Sequence, residues 1–474
     1  MTEREKKPRR IGGREATTAV IPGNYAISVG NPQMPLPAGW DWRLLTELAR
    51  LESGHTPSRK KKDYWGGDIP WIGIRDATAN HGRTIFATNE NTNELGIANS
   101  AARVLPQHTV CLSRTASVGY VVVMGRPMAT SQDFVNWVCG PELDYRYLKY
   151  ALIAEGNALL RFADGSVHQT IYFPEVKALH IALPELGEQN AIADVLSALD
   201  DKIELNRRMN ETLEALAQAV FKDWFVDFGP VRRKQEGATD PVAILGGLIP
   251  DPAKAAPVAA LFPEGFGEDG LPEGWEIGPF SNQIEIIGGG TPKTSKPEYW
   301  DGDIPWFSVA DTPNGSDTFV FETEKAITRE GLVNSSARLV GPGTTIITAR
   351  GTVGNLAVAG CEMTFNQSCY ALKASAGEAP YFTFLSTKRI VERLQSMAHG
   401  SVFSTITRQT FDNVDAARPP LGVRDAFEDL VDALFVRVRA SVLENRTLAE
   451  TRDYLLPRLM SGEVRVRDAE KMAE

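Results

Sequence analysis

Three arrangements in this sequence have the make-up of a catalytic or cofactor site, and each fails when tested against the rest of the chain. Asp164 with Glu175-Val176-Lys177 has the D…E-x-K form in which carboxylates hold a divalent ion and a lysine helps polarise water. The chain is internally duplicated at an offset of 235 residues, however, and the second copy places His399, Thr410 and Asp412 at those positions, a set that cannot do this chemistry. Gly288-Gly289-Gly290 could cradle a cofactor, but the first copy has Ser53-Gly54-His55 there, which reads as a turn. No N/D-P-P-Y/F motif of an amino-methyltransferase and no Walker A motif is present, and the 6 histidines and 4 cysteines show no metal-ligand spacing. What remains is a basic run, Arg59-Lys60-Lys61-Lys62, in a loop that suits phosphate contact or simple solvation.

The duplication organises everything else. Leu36–Asp76 aligns without gaps on Leu271–Asp311, with 16 of 41 positions identical. Trp40 matches Trp275, Thr56-Pro57 matches Thr291-Pro292, and Gly67-Asp68-Ile69-Pro70-Trp71 matches Gly302-Asp303-Ile304-Pro305-Trp306. The same offset pairs Arg103 with Arg338, Gln132 with Gln367, Gly165-Ser166-Val167 with Gly400-Ser401-Val402 and Ile171 with Ile406. So long a period means a whole domain was doubled, since solenoid units run about 20–50 residues. Within each copy, Val110–Ser113, Val118–Val123, Thr345–Thr348 and Val353–Val358 read as strands, and Asp144–Phe162 and Glu378–Met397 as helices.

Each copy then runs into a long helix. Ile192, Leu196, Leu199, Ile203, Asn206, Asn210, Leu213, Ala217, Val220 and Trp224 follow a 4-3 spacing, a heptad seam with a polar middle. The second copy answers with Phe427, Val431, Leu434, Val438, Ser441, Asn445, Leu448, Arg452, Leu455 and Leu459. Neither helix can bury its seam alone, so an antiparallel pair is expected, with Asn206/Asn210 level with Ser441/Asn445 to fix register. The expected architecture is α+β: two duplicated β-rich domains separated by two long antiparallel coiled-coil-like helices. Its parts are an N-terminal arm (1–35), a first domain (36–184), a first helix (185–228), a Pro/Gly/Ala-rich linker outside the core (229–270), a second domain (271–419), a second helix (420–460) and a tail (461–474). Arm and linker occupy equivalent places before the two copies.

Composition sets the bounds. A chain of 474 residues, 43% hydrophobic and 23% charged, fits several soluble domains. Cys111, Cys139, Cys361 and Cys369 are too sparse for a disulfide framework and fit a reducing cytoplasm. The basic N-terminus is followed by no apolar signal segment, and no apolar run reaches membrane-spanning length, so no membrane association is expected. The net charge of −10 weighs against a simple nucleic-acid binder, for which a basic surface is expected.

The paired L-P-x-G-W entries, G-x-T-P loops, Y-W-x-G-D-I-P-W motifs and G-S-V…I elements, with DWFVDFGPVR after the first helix and LLPRLMSGEV after the second, resemble the specificity subunit of Type I restriction-modification systems over about Leu36–Val466. The resemblance implies two target-recognition domains, each reading half of a split, asymmetric site in double-stranded DNA, with the helix pair setting the unread gap. It implies two methyltransferase subunits and two restriction/translocase subunits as partners. S-adenosylmethionine, ATP and Mg are then expected on those partners and no cofactor on this chain, which is a non-catalytic DNA-recognition subunit. The rival is a duplicated protein-interaction scaffold without DNA contact.

On that reading the shared Trp and Pro residues build the fold, and divergent polar residues beside them contact DNA. The candidates in the first copy are Lys60, Lys61, Lys62, Arg75, Ser113, Arg114, His168 and Gln169; in the second they are Lys293, Lys296, Thr348, Arg350, Ser401, Ser404 and Arg408. Arginine and glutamine can make bidentate contacts to guanine and adenine, while phosphate contacts only position. Phe221, Trp224, Phe225 and Leu459 are candidates for a partner's groove, with burial against the opposing helix as the alternative.

Overall fold

The computed structural model describes residues 20–163, 169–313, 318–397 and 405–466. The chain forms two compact units, one of residues up to Lys202 together with those from Thr447 onward, the other Ile203–Arg446.

The first unit is built on a five-stranded sheet in the order Ala49–Ser53, Phe134–Cys139, Val110–Ser113, Val121–Met124, Thr84–Ile85. Its central strands, Val-Cys-Leu-Ser and Val-Val-Val-Met, are buried on both faces, which is why they read as continuous apolar runs. A three-stranded sheet sets Trp65–Ile72 between Ala129–Thr130 and Glu90–Thr92, and a four-stranded sheet joins Ile21–Pro22, Ile27–Val29, Leu179–Leu183 and Asp41–Leu44. The helix Tyr145–Glu155 contributes Tyr147, Leu148, Ala151 and Leu152 to the same core.

The second unit repeats the first two sheets strand for strand. Its five-stranded sheet runs Ile284–Gly288, Cys369–Ala374, Thr345–Thr348, Leu356–Ala359, Phe319–Val320, and Trp300–Phe307 lies between Ala326–Ile327 and Thr364–Phe365. Even the irregularities coincide. The ladder shifts register between Trp65 and Ile69 in one copy and between Trp300 and Ile304 in the other. The chain turns left-handed there, at Gly66 (φ 82°) and at Asp301 (φ 57°).

Some boundaries differ from the pattern-based expectation. The strand expected over Val118–Val123 begins at Val121, because Gly119 sits at φ 101° and donates to the Ser113 carbonyl, closing a turn. Its counterpart begins at Leu356, after Gly354 makes the same bond to Thr348. The helix expected through Phe162 is α-helical only to Glu155, and Gly156 (φ 47°) breaks it into a 3-10 segment. The linker departs most. Residues 229–270 form the helices Gly229–Gln235, Pro241–Ile244 and Pro252–Ala259, and Val231, Ile244, Leu245, Ala255, Ala259 and Phe262 belong to the buried core. Asp240 and Asp251 cap two of these helices, each with a proline in the first turn. The segment before the first copy instead supplies strands, so the two are not structurally equivalent.

The long helices are Leu186–Phe225 and Leu421–Met460, 40 residues each. In the first unit Ile192, Leu196 and Leu199 share a buried cluster with Leu455, Leu456, Leu459 and Met460. In the second, Ala217, Val220 and Trp224 share one with Phe427, Val431 and Val438. In both, the early part of one helix meets the late part of the other, so the seam is antiparallel. Asn206 Nδ2 donates to Asn445 Oδ1 at 2.9 Å and Glu444 Oε2 at 2.8 Å, placing the polar layers level. The charged seam residue Arg452 is matched by Asp200 at 2.9 Å.

Candidate nucleic-acid interface

The residues shared by the two copies build a cage around one loop. Trp65 and Trp71 meet edge to face at 5.1 Å, as do Trp300 and Trp306 at 5.1 Å. The buried indole of Trp71 donates to the His55 carbonyl at 3.1 Å, and that of Trp306 to the Gly290 carbonyl at 3.0 Å. Asp76 accepts from the backbone N–H of Gly73 and of Asn89, both at 2.8 Å; Asp311 accepts from Ser308 at 2.8 Å and Glu324 at 2.6 Å. Thr56 bonds Gln132, and Thr291 bonds Gln367. Positions that could have offered bases a glutamine or an aspartate are thus spent on the scaffold.

The cage fixes the loop by its backbone and leaves its side chains outside. In the first copy Trp65 Nε1 donates to the Ser58 carbonyl at 3.4 Å, Asn93 Nδ2 to that of Asp63 at 2.8 Å and the Thr92 hydroxyl to that of Tyr64 at 2.7 Å. In the second, Trp300 Nε1 reaches the Lys293 carbonyl at 3.3 Å, the Thr328 hydroxyl that of Glu298 at 2.8 Å and the Thr328 N–H that of Tyr299 at 3.0 Å. Lys60, Lys61 and Lys62 are exposed on this framework, and Arg75 is exposed on the short helix Ile74–Ala79 beside it. Arg59, inside the basic run but not singled out from the sequence, is held by contacts of its own. Its guanidinium grips the Glu90 carboxylate with both terminal nitrogens and lies 4.3 Å and 4.9 Å from the rings of Trp65 and Trp71. The Arg59 hydrogen bond, with the charges of Arg59 and Arg75, holds Glu90 below the usual carboxylate range against its slight burial. In the second copy Lys293 is exposed, while Lys296 donates to the Tyr299 hydroxyl at 3.1 Å and lies 3.6 Å from Glu298.

Other sequence candidates separate into contact-capable and structural ones. Gln169, Arg350 and Arg408 are exposed, and Arg408 also donates to the Ile286 carbonyl at 2.8 Å. Ser113 and Thr348 must be corrected. Both are buried, and their hydroxyls serve their own hairpin: Ser113 donates to the Ser117 carbonyl and accepts from Tyr120 N–H, Thr348 donates to that of Thr352 and accepts from Asn355 N–H. Arg114 is half-buried, lies 4.8 Å over the Phe173 ring and donates to the Gln132 carbonyl at 3.1 Å, so it braces a loop. His168, Ser401, Ser404 and Asp164 lie outside the described residues.

The partner-groove candidates are corrected too. Phe221, Trp224 and Phe225 are buried in the second unit against Phe427, Phe382 and Phe262, and Leu459 is buried in the first. The exposed apolar residues of the helices lie elsewhere. Leu205, Leu216 and Ala219 are exposed and, with the half-buried Met209 and the polar Thr212 between them, follow a second 4-3-4-3 spacing; Ala433, Val436, Ala440 and Leu443 are exposed at 3-4-3. Leu205 is 61% exposed and Val436 53%. The signal for these stripes was in the sequence, one residue before the dominant seam on the first helix and one or two before it on the second.

Among the described residues no group of three or more His, Cys, Asp and Glu could hold a metal ion, and no helix is long and apolar enough to cross a membrane. The chain is 25% identical over 440 residues to the Type I restriction enzyme MjaIX specificity subunit of Methanocaldococcus jannaschii, covering 91% of this chain and 95% of the relative. It is 29% identical over 441 residues to the HindI specificity subunit of Haemophilus influenzae, covering 86% and 89%. Its fold is similar to the crystal structure of a Type I restriction-modification S subunit from M. genitalium, with a TM-score of 0.51 at 15% identity, covering 90% of this chain and 97% of that one. The model of the Type I restriction modification DNA specificity domain matches residues 37–215 and again 272–425, and with both copies matched the chain belongs to that family.

Proposed function

We propose that this chain is the non-catalytic specificity subunit of a Type I restriction-modification complex, reading a bipartite, asymmetric site in duplex DNA. The observation that carries the reading is one loop framework built twice with different exposed side chains. Sequence is read through side chains at base edges, while the backbone framework only positions them. A doubled scaffold with unlike loops is therefore suited to two unlike half-sites. Lys60, Lys61, Lys62, Arg75 and Gln169 in the first copy and Lys293, Arg350 and Arg408 in the second are the exposed residues available for contact with DNA, whether to base edges or to phosphates.

Two methyltransferase subunits would dock on the long helices. The exposed Leu205, Leu216 and Ala219 on the first helix and Ala433, Val436, Ala440 and Leu443 on the second support this, because apolar residues at heptad-like spacing on a helix already paired through another face are suited to further helices. Methyl transfer from S-adenosylmethionine, and ATP- and Mg-dependent restriction by two translocase subunits, belong to those partners. The reading places the complex on cytoplasmic DNA.

Methylome sequencing of cells that carry this chain with its methyltransferase tests the proposal. One bipartite methylated motif with an unread gap is expected, and replacing residues 36–184 by the equivalent domain of a relative should change one half of it only. Methylation without sequence preference, or a change in both halves, would overturn the reading.

A further inference from the structure

The two copies share a fold but not a charge. Over the matched spans 36–184 and 271–419 the first has 15 Lys and Arg against 14 Asp and Glu, net +1, and the second 12 against 16, net −4. The difference concentrates on the caged loop and its surroundings. At equivalent positions Arg59, Lys60, Lys62 and Arg75 become Thr294, Ser295, Pro297 and Ala310. Gly66 becomes Asp301, exposed and in left-handed backbone, and Asn89 becomes Glu324. Two exchanges run the other way, Ser58 to Lys293 and Glu90 to Lys325, and do not restore the balance.

Geometry makes the difference consequential. In both copies the loop backbone is pinned by a tryptophan indole and by a threonine, so the side chains project from the same framework. Three consecutive lysines, none with a carboxylate partner among the described residues, therefore stand on a pre-ordered loop in the first copy. Its counterpart offers Lys293, together with a Lys296 already engaged by Tyr299 and Glu298. A fixed loop of unpaired cations suits a phosphodiester backbone, because little order is lost on contact and bound counterions are released.

Resting on the DNA-reading function above, we infer that the two recognition domains divide the work unequally: the first anchors the duplex through phosphates at the Ser58–Tyr64 loop, and the second engages its half-site with little phosphate contact of this kind. Ionic strength should then act chiefly through the first domain.

The test is the salt dependence of binding by the chain assembled with its methyltransferase subunits, on a duplex carrying the motif found by methylome sequencing. Each phosphate neutralised contributes about 0.9 to the slope of log K against log salt. K60Q/K61Q/K62Q should reduce the slope by about 2–3, on that same scale, and leave the recognised sequence and the thermal midpoint unchanged. K293Q/K296Q should reduce it by about 1 or less. Equal reductions in the two variants, or an unchanged slope in the first, would overturn the unequal division while leaving sequence-specific binding intact. An unmodified assembly with no preference between motif and scrambled duplex would instead overturn the reading on which the inference rests.

Discussion

Glu428 shows how much a single position can set against itself. It lies on the second long helix and accepts from the N–H groups of Tyr381 at 2.8 Å and Phe382 at 3.0 Å, at the start of the helix Pro380–Met397. Donated N–H groups and a helix N-terminus both favour a carboxylate. Burial outweighs them and pushes Glu428 up to about 7. A carboxyl that holds its proton more tightly folded than unfolded contributes stability at low pH and loses it as pH rises from its ordinary value to the folded one. The second unit should therefore lose on the order of 3 kcal/mol between about pH 4.5 and pH 7, at roughly 1.4 kcal/mol for each pH unit separating the folded and unfolded values. Scanning calorimetry across that range checks this. The unfolding temperature should fall and then level above pH 7, and E428Q should flatten the fall; an equal slope in E428Q would assign the pH dependence to other groups. Residue-scale roles were the least legible in the sequence. Ser113 and Thr348 are polar residues that end strands, yet a hydroxyl's partner depends on how its hairpin turns back, which no spacing pattern encodes.

At the scale of elements, the polar layer of the helix pair sets position against stability. Asn206 spends its amide on Asn445 and Glu444, whereas neither side-chain atom of Asn210, fully buried, has a protein partner. An unsatisfied buried polar group costs about 1–3 kcal/mol. Asn210→Leu should accordingly raise the denaturant midpoint, and Asn206→Leu should lower it by leaving Asn445 and Glu444 without that donor. Denaturation followed by circular dichroism distinguishes the two; the same sign for both would show that the layer acts as one unit. The helices themselves were readable because a 3.5-residue period survives every substitution along them, down to the level pairing of Asn206 with Asn445. The linker was not readable. Its helices are short, apolar on irregular spacing, opened by Pro241 and Pro252 and with Pro257 inside one of them, so composition suggested a tether where tertiary burial of Val231, Leu245 and Phe262 makes a core. The caged loops fell between these cases: the repeated tryptophans, threonines and glycines marked them, but only the backbone hydrogen bonds show that the loop is fixed while its lysines are free.

For the whole molecule, the decisive quantity is helix length. Both long helices are continuous through the points where the chain divides into its two compact units, and the heptad spacing runs on through those points in sequence, from Ile192 to Trp224 and from Phe427 to Leu459. Removing one heptad from each helix at facing levels preserves the seam and shortens the pair by about 10 Å, from a rise of 1.5 Å per residue. At about 3.4 Å per base pair that is close to three base pairs. The proposed role of the helices as the element that sets the unread gap therefore predicts a methylated motif whose two halves are unchanged and whose gap is shorter by about three. Removing five residues from each helix is the control. At about 100° per residue it turns the seam roughly 140° out of phase, so it should abolish methylation instead of selecting an intermediate gap. An unchanged gap after the heptad deletion would mean that another part of the assembly, such as the methyltransferase subunits closing around DNA, fixes the spacing. A shorter gap after the five-residue deletion would mean that length acts without the seam.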